Sequence, residues 1–230
     1  MHVALVAAVG CALPTARVPI DPDVTFAAHQ EHGRVVADRL PGDGSAVATP
    51  PGWLRWPGGA TFVVRGDGQT IAGLWLGAPG DVEVRASASR RAPLVGTIAA
   101  THDDGALRLS LVAAGGQPLR TDVLQRTAPG GGPPVLTRAV QTVVDVRGTY
   151  RGELRDAAGH SVGWLRVRIG PYLPAPRIYD GVLPADLPPG VAVATAVALG
   201  SEIDWIEAHA LDVYRGVGGG PLEQSVPIGR

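Results

Sequence analysis

The chain contains no lysine and no asparagine, and all 20 of its Lys+Arg total are arginine. Without lysine, the glycine clusters Gly66-Asp67-Gly68 and Gly130-Gly131-Gly132 cannot complete a phosphate loop. Such usage, with abundant Ala, Gly and Pro, is what a GC-rich genome produces, so arginine clusters carry less functional weight than usual. One cysteine, Cys11, excludes an internal disulfide framework. A net charge of -1 removes any general drive toward nucleic acid or acidic membranes. No HExxH, no G-x-S-x-G elbow and no EF-hand loop is present. Regular alternation of strands with helices is also missing, which excludes a doubly wound nucleotide-binding fold on pattern.

What the chain has in quantity is punctuation. Gly and Pro number 32 and 21 in 230 residues, which demands many short elements and many turns. A hydrophobic fraction of 45% still allows a substantial core. The clearest element is Val140–Ile169. Its even positions Val140, Thr142, Val144, Val146, Tyr150 and Leu154 oppose a mostly polar odd set that includes Arg147, Arg151, Glu153 and Arg155. After a turn at Asp156–His160, Gly163, Leu165, Val167 and Ile169 share one face, and Trp164, Arg166 and Arg168 the other. This period of two predicts a long β-hairpin with one buried and one wet side.

Similar alternation predicts strands at 24–28, 33–37, 61–65, 70–76, 81–88, 96–101, 106–113, 118–126 and 191–199. Residues 170–190 are proline-rich and are expected to be neither helix nor central strand. Gly200-Ser201-Glu202-Ile203-Asp204 resembles a capping box, so a helix is favoured over a strand for 202–214. The expected fold is all-β: a β-sandwich or open barrel of antiparallel hairpins, with one short C-terminal helix as an option. The expected division is a segment 1–13, a β-rich region 14–127, a second at 135–216 centred on the hairpin, and a tail 217–230. APGGGPP at 128–134 separates the two β-rich regions. A short echo links Thr61–Gly66 and Ala72–Leu76 to Thr149–Gly152 and Val162–Leu165.

Residues 1–13, MHVALVAAVGCAL, are apolar and uncharged apart from the terminus and His2, and too short to span a bilayer as a helix. Ala8-Val9-Gly10-Cys11 resembles a bacterial lipoprotein lipobox, with Ala8 replacing the usual larger aliphatic and no Lys or Arg ahead of the run. The resemblance implies export, with Cys11 as the lipidated residue. The alternative is an ordinary first strand with a buried thiol.

No catalytic set is complete. His29 and His32 form an HxxH without a third metal ligand, and His102 and His160 lie at turns without a nucleophile beside them. No metal and no cofactor is expected. The candidate binding residues are the aromatic loops, Trp53 and Trp56 with Tyr172 and Tyr179, and the arginine face, Arg147, Arg151 and Arg166 with Trp164. Stacked guanidinium and indole groups suit an anionic or sugar ligand, or a partner protein. The leading expectation is a non-enzymatic, exported β protein at the periplasm or cell surface, contacting a protein or glycan and touching membrane only through a lipid anchor. A β-rich subunit of a phage tail or injection assembly, cytoplasmic or in the virion, is the runner-up. A hydrolase is the third reading.

Overall fold

In a computed structural model the described residues are 22–50, 61–103, 106–116, 118–127, 148–169 and 177–218. Twelve antiparallel strands form a closed barrel. They are β1 (Phe26–Glu31), β2 (Arg34–Arg39), β3 (Ala46–Thr49), β4 (Phe62–Gly66), β5 (Gln69–Leu76), β6 (Asp81–Arg85), β7 (Leu94–Asp103), β8 (Ala106–Ala113), β9 (Pro118–Thr127), β10 (Gly148–Arg155), β11 (Ser161–Ile169) and β12 (Arg177–Val182). Each strand pairs with its successor, and β12 closes on β1 through Phe26 opposite Gly181 and His29 opposite Ile178. The barrel, not the sandwich, is the architecture, and closure leaves no free sheet edge. Strands from both sides of residues 128–134 share this one sheet, since β9 pairs with β10.

The hairpin parity holds where the chain is described. Tyr150, Leu154, Leu165 and Val167 are fully buried, while Arg151 and Glu153 face solvent. Residues 140–147 lie outside the described residues. Although Arg177 of β12 points inward, in most of the described strands the apolar parity points inward and the charged parity outward. That is the reverse of a barrel whose wall faces lipid.

Among the described residues one helix, α1 (Pro189–Gly218), occupies the lumen. Val191 to Leu199 are buried on every side. The helix packs against strands from β1 to β3 and from β5 to β8. At one end, a side chain added at Gly190 would meet Ala72 and Val84, both inward residues of the wall. At the other, Glu202 accepts a hydrogen bond from the main-chain N–H of His102 at 3.1 Å. Val191 abuts Gly96 of β7, so helix and strand run between the same two rims. From Gly96 to His102 the strand advances roughly 20 Å at about 3.3 Å per residue. From Val191 to Glu202 the helix rises roughly 16 Å at about 1.5 Å per residue. The difference is the strand tilt that closure of a barrel requires.

Three expectations change here. Residues 191–199 are helix, not strand, because a helix buried all round has no polar face and so no 3.6-residue period to read. The helix begins at Pro189, where a missing N–H costs nothing, so Ser201 is interior and not a cap. Residues 177–182 form a strand paired on both edges. The prolines at 171, 174 and 176 precede it and those at 184, 188 and 189 follow it, so none interrupts its ladder.

Candidate functional site

The outer wall carries most of the charged side chains of the described strands. There, two tryptophans are each overlain by two arginines.

The first station stands on β10, β11 and β12. Trp164 projects outward because Gly163 and Leu165 on either side of it share the inward parity. The Arg151 guanidinium lies 4.7 Å from the indole centre and that of Arg166 5.6 Å. Arg166 is held from behind. Its Nε and Nη2 donate to the two carboxylate oxygens of Asp180, both at 2.7 Å. Arg168 donates to the same carboxylate at 2.8 Å. The covering arginines leave Asp180 nearly buried although it faces outward. The fork geometry fixes the guanidinium plane beside the ring, which a lysine could not do. Arg155 is occupied separately by Glu153, at 2.6 Å, and by the Gly159 carbonyl, at 2.9 Å. Three guanidinium groups, Arg151, Arg166 and Arg168, thus surround one carboxylate and one ring.

The second station stands on β5 and β6. Trp75 points outward opposite Glu83, yet is only 5% exposed. The connection from β6 to β7 covers it. That segment presses onto β5 so closely that a side chain at Gly73 would meet the Ser87 carbonyl and the Ala88 backbone. The guanidinium groups of Arg90 and Arg85 lie 5.7 Å and 6.0 Å from the indole centre. Arg85 is anchored to Glu83 and to the Ala92 carbonyl. Arg90 is mostly exposed and approaches Glu83 only at 4.0 Å. A cleft of about 330 Å³ opens beside the ring.

His29, His32 and His160 belong to neither tryptophan stack. His29 lies on β1 beside Asp38, at 2.9 Å, and His32 occupies the following turn with φ 48°, so the HxxH shares no helix face. His160 is exposed at a turn built by Asp156, whose carboxylate accepts the main-chain N–H groups of His160 and Ala158. Those bonds, first the one from His160, hold the Asp156 carboxyl below its ordinary range. Neither His29–Asp38 nor His160–Asp156 is hydrogen-bonded to a serine, threonine or cysteine side chain among the described residues. Among them, no group of three His, Cys, Asp or Glu is placed to hold a metal ion.

Comparison with known proteins finds no matching family model, curated protein or solved structure.

Of the residues singled out in the sequence, Arg151, Trp164 and Arg166 come together as one stack. Tyr179 does not belong to a displayed aromatic loop. It is an inward, fully buried residue of β12, and its hydroxyl abuts Gly200 of α1. Cys11, Trp53, Trp56, Arg147 and Tyr172 lie outside the described residues. Trp75 is the residue that sequence reading missed. Two signals pointed to it: its parity opposes Ala72 and Leu74, and the short internal echo pairs it with Trp164.

Proposed function

We propose that the protein is a non-catalytic, exported binding component that presents the Trp164 face of its barrel to an anionic glycan. The observation that carries the reading is the stack itself, an exposed Arg151 and a clamped Arg166 lying over one indole ring with a surplus of positive charge around it. A sugar ring offers apolar C–H groups to an aromatic face, and its carboxylates accept from guanidinium donors. Because Asp180 already fixes Arg166 and Arg168, little side-chain entropy remains to be lost on binding. Export and the lipid anchor rest on the apolar run 1–13 and Cys11. Mass spectrometry of the native N-terminus tests that part directly, and an unmodified Met1 would remove it.

Binding is tested by titrating the full chain with alginate, a polyuronate, by calorimetry at low and at physiological salt. The expected result is measurable affinity that falls with salt and drops at least about tenfold in Arg151→Ala and in Trp164→Ala. Equal heats for wild type and both variants would remove the site.

A further inference from the structure

We infer that the cleft beside Trp75 is a second binding site, built for an uncharged saccharide unit. It lies on the wall of β5 to β8, away from the β10–β12 station, and its argument is independent of that site.

The chemistry of the lining selects the ligand class. Asp81 and Glu83 supply acceptors, and Thr97 and Ser110 supply hydroxyls that donate or accept. Asp81 and Glu83 are matched in number by Arg85 and Arg90 around the ring, so neither an anion nor a cation is favoured. A ligand rich in hydroxyl groups satisfies donors and acceptors together. Ala99 and Val112 offer the apolar patch on which the C–H face of a sugar ring can rest. The volume, about 330 Å³, lies at the lower end of the range for small-molecule sites, roughly 300–1,000 Å³, which fits one or two sugar rings.

The second observation is Trp75 itself. Its indole N–H is buried and has no hydrogen-bond partner among the described residues. A buried donor without an acceptor is unfavourable, and an acceptor on a ligand that moves the covering side chain aside satisfies it. The two arginines over the ring differ in how firmly they are held. Arg85 is tied to Glu83 and to the Ala92 carbonyl, whereas Arg90 is exposed and loosely placed. Arg90 is therefore the cover that a ligand displaces, while Arg85 stays on the ring.

The test is calorimetric titration of the full chain with maltose, cellobiose and diacetylchitobiose. At least one binds the wild type with a dissociation constant in the millimolar range or tighter. Trp75→Phe keeps an aromatic face, smaller than the indole, and removes the N–H, and lowers affinity about tenfold or more. Thr97→Trp fills the cleft from a solvent-facing position without touching the core, and abolishes binding. Arg90→Ala removes the cover and strengthens binding. Trp164→Ala leaves all of these titrations unchanged, which separates this site from the anionic one. The inference is overturned if none of the three sugars binds, or if Trp75→Phe and Thr97→Trp bind as the wild type does.

Discussion

Arg177, an inward residue of β12, donates to the main-chain oxygen of Gly200 in the lumen helix, 3.0 Å away. The same guanidinium donates to Gln30 of β1, also at 3.0 Å, and its Nη2 pairs with Asp204 at 2.8 Å. One side chain thereby joins two adjacent strands, at the seam where the barrel closes, to the helix that fills it. It is only 3% exposed, so these acceptors stand in for water around a buried charge.

Truncation of this link is expected to be more costly from the arginine side than from the aspartate side. Arg177→Ala removes a charged donor from several acceptors and is expected to lower unfolding free energy by about 2–4 kcal/mol. Asp204 is largely exposed, and Asp204→Ala leaves Arg177 its bonds to Gln30 and Gly200. Its cost is expected to be smaller than that of Arg177→Ala, about 1–2 kcal/mol, because the buried guanidinium loses one charged acceptor and keeps the others. Urea denaturation of the two variants checks the difference.

Gly80 and Gly68 separate backbone strain from crowding. Both have positive φ, 82° and 77°. Around Gly68 there is open space, whereas a side chain at Gly80 would run into the Ala100 carbonyl on β7. Gly68→Ala is expected to cost about 1–2 kcal/mol from the left-handed conformation alone. Gly80→Ala carries the same strain plus a backbone collision, and is expected to lose at least about 1 kcal/mol more. Melting temperatures in that order support the wall geometry around the helix exit.

Glu202 gives the stability a defined pH dependence. Burial pushes its carboxyl above the ordinary range, and the Asp81 carboxylate adds to the rise; the N–H of His102 partly offsets both. The folded state therefore holds this proton more tightly than the unfolded chain does. Its contribution is full below the unfolded value and is lost as pH rises through the raised folded value. Glu202→Gln keeps an acceptor for His102 and removes the charge. It is expected to be more stable than wild type at pH 7, with the advantage shrinking toward zero as the pH falls below about 4, the unperturbed carboxylate range. Paired denaturation curves at the two pH values check the sign.

Asp180 is expected to organise the arginine face. Asp180→Ala frees Arg166 and Arg168 and leaves like charges facing each other around Trp164. A stability loss of about 1–2 kcal/mol is expected, together with weaker alginate binding despite the added positive charge. Tighter binding in this variant would mean that charge alone, not the fixed geometry, makes the face.

The strands with one wet side were legible in the sequence because period two survives in β6, β7, β8, β10 and β11. Their turns were legible through Gly68, Gly115 and Gly159, which the structure places at positive φ. The lumen helix was not. In Val191–Leu199 valines and alanines alternate, which looks like a strand, and total burial erases any amphipathic contrast. Small residues are there because wall and helix must approach closely, a reason visible only once the wall exists. Of the site, the Trp164 stack followed from parity within one hairpin. The Trp75 cleft needed the fold-back of residues 86–93, which no local pattern announces.

Helix α1 is the core of the barrel. Native-state hydrogen exchange measured by mass spectrometry tests it most directly. The amides of residues 191–199 are expected to exchange only through global unfolding, at the free energy shown by β5 to β8 and with the same denaturant dependence. Exchange of that segment at markedly lower free energy, while the strands stay protected, would show a helix that leaves the lumen and would contradict the account.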